Sequence, residues 1–152
     1  MLSRQTFLRT ALATSFTALA LAGCGMMRPS QKMQIFEASL SASQEIPAAA
    51  SSGAGQAEVK FNENTSMLSW KVTYSGLSGA ATAGHIHGPA AMGQNAGVVI
   101  PFTGSMDAQP IMGEKAITAA QYADLAAGLY YVNIHTARFP GGEIRGQLRK
   151  RM

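Results

Sequence analysis

The sequence predicts an all-β domain, an antiparallel, Greek-key-like β-sandwich or barrel with one short helix. Two observations carry this. Short runs of alternating apolar and polar residues recur along the chain, separated by turns rich in Gly, Pro, Asn and Ser. One segment alone combines helix-forming residues with a capping signal at each end. No internal repeat and no heptad run competes with this reading.

The elements follow in order. Residues 34–40 form the first predicted strand. Residues 45–53 are small and broken by Pro47, and read as a loop. In 55–62, Ala57, Val59 and Phe61 alternate with Glu58 and Lys60. In 67–75, Leu68, Trp70, Val72 and Tyr74 alternate with Ser69, Lys71, Thr73 and Ser75. The polar turn 62–65 makes these two half-buried strands a hairpin. Further strands are predicted over 82–87 and 97–103. The helix spans 118–127, with Thr118 as N-cap and Gly128 closing the end. The last two strands are 129–136 and 143–149, joined by Ala137-Arg138-Phe139-Pro140-Gly141-Gly142.

The N-terminus stands apart from this domain. Arg4 and Arg9 precede an apolar stretch, 10–21, that is too short to span a bilayer as a helix. It ends in Leu21-Ala22-Gly23-Cys24, which resembles the bacterial lipoprotein lipobox. The expected organisation is a lipoprotein signal peptide over 1–23, a lipid-anchored tether over 24–32 and a β domain over 33–152. The resemblance implies lipidation of Cys24 and a partner in the membrane itself. Gly25 after that cysteine, where Asp would favour the inner membrane of a Gram-negative envelope, favours the outer membrane, facing the periplasm or the exterior. The alternative is an ordinary signal peptide with an incidental Cys24.

Cys24 is the single cysteine, so the mature domain has no disulfide and relies on core burial, with a metal as a conceivable aid. The formal charge of +4 falls to +2 once Arg4 and Arg9 leave, and the excess sits in Arg149-Lys150-Arg151. No basic patch interleaved with aromatics is present, which argues against nucleic acid as a partner.

The chemistry concentrates in the three histidines. His85 and His87 lie at i and i+2 of one predicted strand, with Ile86 between them; His135 follows Ile134 in another. Alternation on a strand then puts all three imidazoles on the non-core side if the isoleucines mark the core. Converging imidazoles would make a transition-metal site. Without thiolates or a dense carboxylate group, copper leads and zinc is the alternative. Three ligands leave a position open for water or a small anion. The competing reading has His85 and His87 as surface residues and His135 packed alone.

If the last hairpin turns near Pro140, His135 faces Arg145 across it, and Glu143, Arg145 and Gln147 share the histidine side. Arg145 is then the leading candidate for attracting an anion, with Arg138 second. A cross-strand ion pair is the other role open to Arg145. Glu143 could orient His135 or pair with Arg138. Met92 could lend a thioether to copper, against the reading of a loop or core-packing residue. Trp70, Tyr74 and Tyr130 are read as packing residues. There is no nucleophile elbow and no nucleotide-binding glycine loop.

Several motifs together resemble the CHRD domain, named for the repeats of chordin and also present as single bacterial domains. They are Ala83-Gly84-His85-Ile86-His87-Gly88-Pro89-Ala90, Gly97-Val98-Val99, Asn133-Ile134-His135-Thr136 and Pro140-Gly141-Gly142-Glu143-Ile144-Arg145-Gly146-Gln147-Leu148. The opening Phe36-Glu37-Ala38-Ser39-Leu40-Ser41-Ala42-Ser43-Gln44-Glu45-Ile46-Pro47 fits as well, so the resemblance spans about 36–148. It implies a β-rich domain. In chordin such repeats belong to an extracellular antagonist of bone morphogenetic proteins, a role a bacterial lipoprotein cannot share directly.

The histidine set also resembles that of copper–zinc superoxide dismutases, Greek-key proteins with a His-x-His strand pair, a distant histidine and a guiding arginine. That resemblance implies His85, His87 and His135 as copper ligands and Arg145 as the catalytic arginine. The bridging histidine and the disulfide cysteines have no counterpart here. A copper-only version is what remains, with superoxide reducing Cu(II) and leaving as oxygen, and a second superoxide reoxidising Cu(I) and leaving as peroxide. Two other readings stay open: a non-catalytic extracytoplasmic interaction or metal-storage module, and a zinc hydrolase or hydratase, for which no general base stands out near the histidines. The sequence names no protein partner.

Overall fold

The computed structural model describes residues 32–152. The predicted signal peptide, and the tether with Cys24 up to residue 31, lie outside the described residues.

Among the described residues, nine strands form one antiparallel, barrel-like sheet that nearly closes. They are β1 (Met33–Ser41), β2 (Ala54–Asn62), β3 (Met67–Ser75), β4 (Ala81–His87), β5 (Val98–Pro101), β6 (Ile111–Ala116), β7 (Tyr131–Thr136), β8 (Ile144–Gln147) and β9 (Arg149–Lys150). The spatial order is β5-β4-β7-β8-β1-β2-β3-β6, and β9 pairs with β1. The chain therefore leaves β3 for the far side of the sheet at β4, and after β6 it returns to insert β7 between β4 and β8. The one α-helix among the described residues, α1 (Ala119–Ala126), lies on that return.

The β2–β3 hairpin forms as its alternation predicts. Ala57 faces Val72, Val59 faces Trp70 and Phe61 faces Leu68, and all six are buried. Asn62 closes the turn, its Oδ1 accepting from the backbone N–H of Asn64 and Thr65. The helix is capped as expected. Thr118 accepts from Gln121 N–H, the Gln121 side chain accepts from Thr118 N–H, and Gly128 ends the element at φ +73°. Leu125 is fully buried and Tyr122 stacks on Phe61 at 4.2 Å, which docks the helix on the sheet.

Two elements differ from the sequence reading. β6 was not predicted. Its inward positions are Ile111, Gly113 and Lys115, so apolar alternation is lost after one residue. Gly113 faces Trp70, whose indole fills the space a Cβ would need. The predicted strand 143–149 is two strands, with Leu148 between them donating its N–H to Tyr130 O.

A single core fills the interior, with Phe36, Leu40, Val59, Leu68, Val72, Ile86, Ile100, Val132, Ile134, Ile144 and Leu148 almost wholly removed from water. Each such aliphatic or aromatic side chain contributes roughly 1.5–3 kcal/mol of burial free energy. Phe102, just past β5, stacks on Trp70 of β3 at 5.2 Å and so links strands from the two ends of the sheet. Trp70 and Tyr130 are core residues, and Tyr74 packs at its edge with its hydroxyl donating to Met106 O.

Candidate metal centre

The β4–β7 register brings the histidines together. His85 lies opposite Asn133, His87 opposite Tyr131, and Ala83 opposite His135. Side-chain alternation then puts His85, His87, Tyr131, Asn133 and His135 on one face, with Ile86, Val132 and Ile134 on the core face. The predicted parity holds, but the histidine face is not a solvent face. His87 and His135 are each 8 % exposed, and of the three only His85 is half-buried, at the rim. Residues 88–97 fold over this face. Ala90 N–H bonds Leu129 O, Gln147 donates to Ala90 O, and Arg145 grips Gln94 O and Asn95 Oδ1 at 2.6 and 2.9 Å.

One ring nitrogen from each histidine joins a group whose members all lie within 4.8 Å of one another. A tetrahedral centre with metal–nitrogen bonds of about 2.0–2.1 Å places its ligand atoms about 3.3 Å apart, so modest side-chain rotation suffices. Two rings are already aligned for this. His87 Nδ1 is 3.0 Å from Ala96 O, and His135 Nδ1 is 2.9 Å from Pro140 O. A carbonyl only accepts, so each Nδ1 carries the proton and each Nε2 presents a lone pair. His85 Nδ1 sits 2.9 Å from His135 Nε2 and can donate to it. His87 Nε2 faces Asn133 Oδ1 at 3.0 Å, and neutral groups supply no proton to that contact. A cation between these atoms satisfies every one of the lone pairs. The donor set fits a transition metal with imidazole ligands.

His85 and His135 resist protonation instead. Burial lowers the pKa of His85 to about 4, and the neighbouring His135 and His87 add to the effect. Burial also lowers His135, against the opposing pull of the Pro140 carbonyl. Metal ligands must be unprotonated, so these shifts favour binding at neutral pH.

Arg145 is on the histidine side but not opposite His135. The hairpin pairs Asn133 with Arg145 and Ile134 with Ile144, two residues from the predicted register. An even shift keeps the face and changes the neighbour. The guanidinium lies 3.4 Å over the Tyr131 ring, while His87 stacks on Tyr131 at 4.8 Å, nearly parallel. Arg145 is 2 % exposed and donates to Gln94 O and Asn95 Oδ1, holding residues 94–95.

Glu143 departs further from expectation. It precedes β8 and its carboxylate turns to Ser51, Ser78 and Thr136, away from His135 and Arg138. Burial raises its pKa, but these hydrogen bonds outweigh burial and hold it below the ordinary value. His135 takes its orientation from the Pro140 carbonyl instead. Arg138 stacks over Phe139 at 5.5 Å, and Met92 is an exposed loop residue, 62 % exposed.

Two residues escaped the sequence reading. Asn133, 3 % exposed, sits among the histidines with Oδ1 3.0 Å from both His87 Nε2 and His135 Nε2. Glu45, 6 % exposed, presents its carboxyl to the Asn133 amide. That contact is loose. The amide lowers the Glu45 pKa as a donor, yet Oε1 closes no hydrogen bond. Burial dominates and raises Glu45 to about 7, despite the nearby charge of Arg145. Gly142, at φ +132°, leaves room for this pair, since a Cβ there would strike Glu45 Oε1. Parity could have found Asn133, two residues before His135; nothing local marks Glu45.

The centre thus defines a class, an antiparallel β domain with a covered three-histidine cluster. The CHRD domain profile matches residues 36–148, and the chain belongs to that family. A search of the curated proteins and a search of the solved structures each returned no match.

Proposed function

We propose that this CHRD domain is a copper-binding module, exported and anchored in the cell envelope through lipidated Cys24, with the outer membrane as its site. The observation that carries the reading is the convergence of His85, His87 and His135, two of them held by backbone carbonyls with Nε2 turned inward. Imidazole donors without thiolate suit copper or zinc, and copper binds the tighter of the two at most such sites. The lipobox-like Leu21-Ala22-Gly23-Cys24 supports export and anchoring.

Superoxide disproportionation is the second reading. It is favoured by His85 at the rim and by a ligand set of three histidines, which leaves room for a small anion. Copper would supply one-electron chemistry between Cu(II) and Cu(I). Arg145 would contribute its positive charge from beneath the cover rather than by direct contact, because its guanidinium is committed to Tyr131, Gln94 and Asn95.

The test is the metal content of protein matured in the envelope, followed by a superoxide assay on the copper-loaded form. About one copper per chain in wild type and none in His87→Ala supports the copper reading. Absence of copper in wild type overturns it, and zinc without copper replaces it. Copper without superoxide turnover leaves binding as the function.

A further inference from the structure

The geometry points to Asn133 as a fourth protein donor of the metal centre, its side-chain carbonyl oxygen facing the ion and its amide nitrogen on the side of Glu45. This rests on the metal-centre reading above and adds a ligand outside the three-histidine set. The position is the first argument. Asn133 Oδ1 lies 3.0 Å from His87 Nε2 and 3.0 Å from His135 Nε2, in the middle of the cluster. Those are ordinary spacings for neighbouring ligand atoms around one ion, somewhat inside the tetrahedral value of about 3.3 Å.

Chemistry is the second argument. Both rings spend their Nδ1–H on Ala96 O and Pro140 O, so neither can donate to Oδ1. An amide rotated by half a turn would offer N–H groups to both nitrogens and satisfy them. The structure has the opposite sense. Nδ2 is turned toward the Glu45 carboxyl, an acceptor seated on Gly142. With Nδ2 on the Glu45 side, the carbonyl end is the one that meets the histidines. A buried carboxyl that fixes a ligand's orientation commonly changes metal affinity 10–100-fold when removed.

The experiment compares copper(II) affinity and the copper EPR spectrum in the full-length wild type, Asn133→Leu, Asn133→Asp and Glu45→Gln. Leu keeps the volume and removes the oxygen; Asp restores an oxygen donor. Asn133→Leu should lose at least about 10-fold in affinity with a changed spectrum, Asn133→Asp should bind within a few-fold of wild type, and Glu45→Gln should fall between. Equal affinity and an unchanged spectrum in Asn133→Leu overturn the inference while leaving the three-histidine centre intact. Because Asn133 is buried and Leu there could misfold, zinc is also titrated into wild type with the Asn133 side-chain carbonyl followed by carbon-13 NMR. A shift complete at one equivalent supports coordination, and a carbonyl that does not move overturns it. Wild type that binds neither ion removes the metal-centre reading itself, an outcome distinct from binding that ignores Asn133.

Discussion

Strand β7 has two faces, both buried, built on opposite rules. Val132 and Ile134 face the core and are fully removed from water, and they pack by shape alone. Tyr131, Asn133 and His135 face the other way under residues 88–97 and are at most 8 % exposed. There, position is set by directional contacts: His135 to Pro140 O, Tyr131 to Ala96, and Arg145 across Tyr131 to Gln94 and Asn95. The core face supplies stability from nonspecific burial. The covered face holds lone pairs in place and leaves some of them unsatisfied, an arrangement found at functional sites rather than in structural cores. One strand therefore does both jobs, and a substitution should disturb one without the other.

The largest effect is expected on the core face. Ile134→Ala should cost about 2–5 kcal/mol in chemical denaturation, since a fully buried side chain leaves a cavity. The folded fraction should keep its metal affinity. A loss of affinity without a loss of stability would mean that the two faces are not separable.

How much of this was legible follows from what each residue contacts. The histidine face could be read because parity depends only on counting along a strand. The capped helix and the β2–β3 hairpin could be read because their signals are local. The last hairpin register could not, because its turn passes through Phe139, Pro140 and Gly141 without a two-residue signature, and it settled two residues from the symmetric guess. β6 was hidden because Trp70 occupies the place of the Gly113 side chain. The cover was invisible for a different reason. Residues 88–97 look like an exposed loop, and what binds them down lies far along the chain: Leu129, Tyr131, Arg145 and Gln147. Glu45 likewise gains its meaning only from Asn133, far along the chain.

The covered face should show its character through pH. The Glu45 carboxyl has an ordinary value of 4.5 and is raised to about 7 by burial in the folded protein. Below pH 4.5 it is protonated folded or unfolded, and Glu45→Gln should change little. Between 4.5 and about 7 the unfolded chain releases its proton before the folded one, so this group's contribution falls as pH rises. At pH 8, Glu45→Gln should therefore stabilise the metal-free protein, by about 1–3 kcal/mol after allowance for solvent screening. Urea titrations at pH 4 and pH 8 measure this, and a variant less stable at pH 8 would contradict it. His85 acts in the opposite direction. Its pKa is lowered from 6.5 to about 4, so its contribution is lost as pH falls through that range.

The smallest effect is expected on the solvent face of the same sheet. Arg151 pairs with Glu37 and Glu58 there, and all three are substantially exposed. Arg151→Ala should change stability by less than about 1 kcal/mol, and less still in high salt. A larger loss would show that the C-terminal strand β9 depends on this cluster for its pairing with β1.

The central claim is that three histidines from two adjacent strands form one metal centre. A copper(II) titration against a competing chromophoric chelator at pH 7.5, on wild type and His87→Ala, tests it most directly. The account predicts one tightly bound ion per chain in wild type, with affinity falling by two orders of magnitude or more (about 100-fold) when His87 is removed. A wild type that does not compete with the chelator, or a His87→Ala variant that binds as tightly, would contradict it.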